Sequence, residues 1–153
     1  MKAIFKDFIL PILPSILTII GWWIVGSRDN NSKKNAIHNR RVDLASELIE
    51  KIFVDAKKFY SLQGSDVEAK TLSALIISDF KKLSSIINLV SKKLSDYEKH
   101  SVADAFITYK KTITGGSFES INRPIVKPTN QLYVEIDTTY NDLYIELEKI
   151  YLS

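Results

Sequence analysis

The sequence has no cysteine, and its 153 residues include two histidines, four prolines and five glycines. Without cysteine there is neither a disulfide framework nor a thiolate metal site, which suits a reducing compartment. A zinc site built on His38 and His100 would need carboxylates to complete it. Few glycines and prolines beside many aliphatics and lysines argue for helices over a turn-rich sheet. Catalytic signatures are missing too: there is no GxSxG, HExxH, EF-hand loop, GKS or GKT. Asp137, Asp142, Glu146 and Glu148 share one stretch, but the ExxH pairs of a di-metal bundle do not occur, so these read as exposed helix charges. His100 stands alone and reads as a surface histidine. No cofactor and no enzymatic activity are expected.

The net charge of +3 is unevenly placed. Between Ser27 and Arg41, Arg28, Lys33, Lys34, Arg40 and Arg41 face only Asp29, a local +4. The first seven residues add +1, leaving −2 for residues 42–153. The basic signal therefore belongs to one short segment, and the rest shows no stripe that would follow a nucleic-acid backbone; no nucleic-acid partner is expected.

What is present organises around residues 8–26, FILPILPSILTIIGWWIVG, which carry no charge. At 1.5 Å per helical residue this stretch matches a bilayer core of roughly 30 Å. Phe8, Ile9, Leu10, Pro11, Ile12, Leu13 and Pro14 open it, with the prolines in the first turns, where a missing amide donor costs least. Trp22 and Trp23 sit near its far end, as headgroup-level aromatics do. The cations follow the stretch, so the positive-inside rule places residues 1–7 outside and the remainder in the cytoplasm. The rival reading is a cleaved signal peptide, with Lys2 and Lys6 as its basic region and cleavage near Val25-Gly26-Ser27. The length of the run, the two tryptophans and the cations that follow favour the retained anchor. The basic segment at residues 27–35 is either a linker or the first turns of a helix, and its cations suit anionic headgroups.

Residues 36–153 predict an antiparallel bundle of about four helices. The first covers residues 36–62, with a stripe of Ile37, Leu44, Leu48, Ile52, Ala56 and Phe59 beside Ala45, Ile49, Phe53 and Tyr60, and an exposed Glu47–Lys51 pair. Gly64 is expected to cap it and Ser65 with Glu68 to open the next helix. That helix buries Ala69, Leu72, Ile76, Phe80, Leu83, Ile87, Val90 and Leu94, with Lys81, Lys82, Lys92 and Lys93 on a solvated face. Ser95 and Glu98 form a second capping-box pattern, so the third helix starts there or continues the second through a bend; it is expected to bury Val102, Ala103, Phe106 and Ile107, with Tyr109 as a further candidate. Gly115 and Gly116 end it in a left-handed cap. Pro124 and Pro128 keep the following connection out of helix, with Phe118, Ile121, Ile125 and Val126 tucked against the bundle and Glu119 paired with Arg123. Gly115, Gly116, Phe118, Glu119 and Arg123 form a candidate interaction loop, because thirteen residues is long for a bundle connection. The last helix, residues 130–152, carries Leu132, Ile136, Thr139, Leu143, Leu147 and Ile150.

Three short motifs carry a resemblance: Gly21-Trp22-Trp23, Asn39-Arg40-Arg41, and Thr114-Gly115-Gly116-Ser117-Phe118-Glu119 with Arg123-Pro124 behind it. In this order they resemble a group of small bacterial membrane-anchored helical proteins with an anchor, a helical hairpin and a last amphipathic helix. The resemblance implies a single-pass anchor and a helical body. It implies no enzyme activity, and for members that accompany mobile elements it implies a setting in phage-related biology. The combined expectation is a membrane-tethered, non-enzymatic module that recruits or regulates a protein partner or assembles with itself, in contact with membrane lipid. The alternative is a membrane-acting effector of a phage-defence or toxin-like system that works through oligomerisation of the anchor.

Overall fold

A computed structural model describes the backbone of residues 10–152 and the side chains of residues 32–150. Among the described residues there are four α-helices and no strand: α1 (Leu10–Tyr60), α2 (Val67–Val90), α3 (Asp96–Thr114) and α4 (Gln131–Leu152). The chain forms two compact units, Met1–His38 and Asn39–Ser153. Residues 27–35 are helical and belong to α1, which resolves the choice between linker and helix. No helix among the described residues is long and apolar enough to cross a membrane. The anchor expected at residues 8–26 and its flanking Arg28 lie outside the described side chains, as do residues 1–7.

The Asn39–Ser153 unit is an up-down-up-down bundle. Lys58 pairs with Glu68 at 2.5 Å, and Lys51, two turns earlier, meets Asp79 further along α2, so α1 and α2 run antiparallel. Phe53 stacks on Tyr140 with ring centroids 4.4 Å apart, and Lys57 pairs with Asp137 at 2.6 Å, so α4 also opposes α1. α3 lies between α2 and α4. Tyr109 on α3 packs its ring against Phe80 and Tyr140 at 5.7 and 6.5 Å, and its hydroxyl donates to the Ile49 carbonyl at 3.1 Å.

Burial follows helical periodicity, with shifts where two apolar rows compete. The α2 row from Ala69 to Leu94 is buried as its spacing predicts. On α1 the inward row is Val42, Ala45, Ile49, Ile52, Ala56 and Phe59, whereas Ile37 and Leu44 are exposed. Ala45 and Ala56 are fully buried, and their small side chains let neighbouring helices approach α1 on that side. On α3, Val102, Tyr109 and Ile113 are buried, Phe106 is half-buried, and Ala103 and Ile107 face outward.

The helix ends separate correct from incorrect expectations. α2 and α3 are not continuous: a 3-10 turn, Ser91–Lys93, leads to the predicted capping box at Ser95. The Ser95 hydroxyl and amide donate to the Glu98 carboxylate at 2.5 and 2.8 Å, and these bonds hold the Glu98 carboxyl below its usual range. The Ser65–Glu68 box does not form. Asp66 occupies the N-cap position and accepts from the Gln63 amide at 3.0 Å, while Glu68 is drawn to Lys58. Gly64 is not a left-handed cap, since Gly116 is the one positive-φ glycine among the described residues. A Cβ on Gly64 would instead fall inside contact distance of the Ser120 carbonyl, and the Gly64 amide donates to the Arg123 carbonyl at 2.9 Å. The expected Glu47–Lys51 pair gives way to Lys51–Asp79, because the buried carboxylate is the stronger acceptor.

Asp79 is 1 % exposed and lies within the apolar row of α2. Burial opposes its ionisation, but hydrogen bonds from Lys51 and from Lys82 at 2.8 Å outweigh burial and hold the carboxyl below its ordinary value. A carboxyl with a lowered folded-state pKa contributes full stability above the unfolded value of about 4 and loses it as the pH falls through the folded value. Asp79→Asn is therefore expected to flatten the acid limb of stability against pH below about 4.5 in urea titrations, relative to wild type. Gly64→Ala is expected to cost about 2 kcal/mol by thermal or urea unfolding, because the backbone it touches has to move.

Candidate functional site

The predicted interaction loop is shaped by the end of α3. Gly115 takes an extended conformation, and a Cβ there would lie 2.5 Å from the Lys111 carbonyl oxygen. Gly116 follows at φ +57°, in the left-handed region where glycine carries no penalty. The reversal drops Phe118 into the core, 3 % exposed, with its ring 4.6 Å from that of Phe59. Ile121 and Ile125, expected to tuck inward, are exposed, and Val126 is half-buried.

Arg123 is the correction with the largest consequence. It does not pair with Glu119, which is exposed. Arg123 is 1 % exposed, with its guanidinium carbon 3.9 Å from the Phe59 ring centroid and 5.1 Å from that of Tyr60. Its Nη2 donates to the Phe59 carbonyl at 3.0 Å, at the C-terminal end of α1, where a cation is favoured by the helix dipole. Nε and Nη1 are buried without a hydrogen-bond partner, and burial pulls the guanidinium pKa down from its ordinary value. The Arg–aromatic stack holds a charge that the surface pairing predicted from sequence would have left in water. Arg123 is thus a fastening residue of the fold.

The rest of the loop borders a cleft. Ile77, Phe80 and Phe118 form its apolar lining, and Lys81, Lys110, Thr114, Gly116 and Glu119 surround them, enclosing about 380 Å³. The structure brings together three of the five predicted loop residues, Gly116, Phe118 and Glu119, and adds Lys81 and Lys110 from two other helices. Neither lysine amine is in an ion pair among the described residues. Of the basic segment after the apolar stretch, Lys33, Lys34 and Arg40 are exposed and Arg41 is half-buried. His100 is exposed, with Nδ1 2.6 Å from the Asp96 carbonyl oxygen. Among the described residues no group of acidic or histidine side chains is arranged to hold a metal ion.

Sequence reading missed Asp79, Lys81 and Lys110. Asp79 had a signal, a carboxylate between Ile76, Phe80 and Leu83 where the helical row calls for an apolar side chain. Lys81 and Lys110 had none, because their proximity depends on how α2 and α3 pack. Comparison with protein-family models, curated proteins and solved structures gave no match.

Arg123→Met is expected to lower stability by about 2–3 kcal/mol, since it removes the guanidinium donor to the Phe59 carbonyl and the cation stacked on the Phe59 ring, and Arg123→Lys to restore little of it. Urea unfolding of both variants measures this.

Proposed function

We propose that the chain is a membrane-tethered, non-enzymatic interaction module. The observation that carries the reading is the charge-free, tryptophan-ended stretch at residues 8–26, placed before a separately packed helical unit, Asn39–Ser153. On this reading the stretch is a single-pass anchor, Arg28, Lys33, Lys34, Arg40 and Arg41 lie against anionic headgroups, and the bundle sits in the cytoplasm. The cleft beside Gly116, Phe118 and Glu119 supplies a surface for a protein partner. Its volume lies within the range of binding clefts, and it combines apolar walls with two unpaired amines.

A second reading, a membrane-acting effector whose anchor oligomerises, draws support from Pro11 and Pro14, which weaken regular helix within an uncharged segment. Induced expression separates the two. An effector abolishes membrane potential, and deletion of residues 1–26 removes the effect; a tethered module is harmless when overproduced.

The tether makes its own prediction. Full-length protein is expected to stay in the membrane pellet through an alkaline wash, and the chain lacking residues 1–26 to move to the supernatant. A mature protein that begins near Arg28 and is recovered free of membrane overturns the proposal.

A further inference from the structure

Two sides of the Asn39–Ser153 unit carry opposite charge. On the α2–α3 side, Lys81 and Lys110 border the cleft, and with Glu119 on its rim the three charges net +1. On the α3–α4 side a groove of about 280 Å³ is lined by Asp104, Asp142 and Glu146, with Ala105 and Ile145 between them. Glu146 is paired with Lys149 at 2.5 Å, whereas Asp104 and Asp142 are in no ion pair among the described residues. Ile145 is 53 % exposed, so the acidic groove also offers apolar area. α4 as a whole carries five carboxylates against the single Lys149.

The heights follow from one aromatic layer. Phe80, Tyr109 and Tyr140 meet at centroid distances of 5.7 and 6.5 Å. Because α3 runs opposite to α2 and α4, Lys110 lies one residue to one side of that layer, and Lys81, Asp142 and Asp104 lie one, two and five residues to the other, so at 1.5 Å per residue the four spread over about 9 Å along the bundle, with Asp142 nearest to Lys81. A rotation about an axis parallel to the bundle therefore brings Asp142 of one copy to the height of Lys81 of another, with Asp104 about one helical turn further along.

We infer that the occupant of the Lys81–Lys110 cleft is a second copy of this chain, seated through its Asp104–Asp142 groove. The two faces are different, so the contact is heterologous and each copy uses both. Exposed ion pairs contribute little individually, and confinement to one surface supplies the effective concentration that makes them count. That confinement, and the shared direction of the copies, rest on the tether reading; the charge pairing does not.

The test uses full-length protein in two fluorescently labelled populations, donor and acceptor, reconstituted in neutral phosphatidylcholine vesicles at low salt. Wild type is expected to show energy transfer that falls in 1 M salt. Lys81→Glu with Lys110→Glu, and separately Asp104→Lys with Asp142→Lys, are each expected to associate about tenfold more weakly. Mixing the two double variants is expected to restore transfer, because every reversed face then meets its complement. Circular dichroism confirms that each variant is folded. Transfer insensitive to both reversals and to salt places association in the N-terminal stretch and overturns the inference, as does loss without rescue on mixing. Binding to anionic vesicles that requires Lys81 and Lys110, with transfer unchanged, assigns the cleft to lipid and also overturns it. Flotation of the vesicles reads the tether separately; if the protein does not float, the same variants compared by low-salt sedimentation still decide the pairing.

Discussion

A helix that ends inside a protein leaves four carbonyls without intrahelical donors, and satisfying those of α1 shapes one whole end of this bundle. The Lys57 carbonyl accepts from the Ser61 amide and the Tyr133 hydroxyl, both at 3.2 Å. Lys58 is served by the amide and hydroxyl of Ser61, the latter at 2.7 Å. Phe59 takes the Leu62 amide and the Arg123 guanidinium, and Tyr60 takes the Val126 amide at 2.9 Å. Donors from the long connection and from the start of α4 thus complete a helix that ended more than sixty residues earlier. The debt is mutual, since the Tyr60 hydroxyl donates to the Ile113 carbonyl at 2.7 Å in the last turn of α3.

This arrangement explains why the connection is ordered despite its length and two prolines. Its backbone bonds at Gly64 and Tyr60 are of the strength found within regular structure, and Phe118 and Arg123 both press on the Phe59 ring. The cleft is built on this fastened segment, so its walls come from rigid elements and its charges from the ends of long lysine side chains. Gly115 and Gly116 matter because they aim Phe118 at the core while the rim of the cleft stays open.

The helix count, the capping box at Ser95 and the buried row of α2 were legible because each depends on residues three or four apart. Arg123 was misread for the opposite reason. From sequence its neighbour is Glu119, four residues away, and a surface pair is the local solution. Its partner is the Phe59 carbonyl, which no local pattern marks. The same holds for Asp79, which ignores Glu47 as a rival and captures Lys51 from the neighbouring helix. On α1 two apolar rows were equally periodic, and only the buried alanines, by admitting close neighbours, decided which faced inward. Lys81 read as an ordinary solvated lysine until packing set it and Lys110 beside one cleft.

The fastening by Arg123 also bears on the order in which the protein is made. During vectorial synthesis the α1–α2 hairpin leaves the ribosome well before residues 123–133, the ones that finish the end of α1. Until then the Phe59 and Tyr60 carbonyls and the face of the Phe59 ring are open to water or to a chaperone. The nascent hairpin is therefore an unfinished piece, and the bundle becomes cooperative only when the last connection and the start of α4 have been translated.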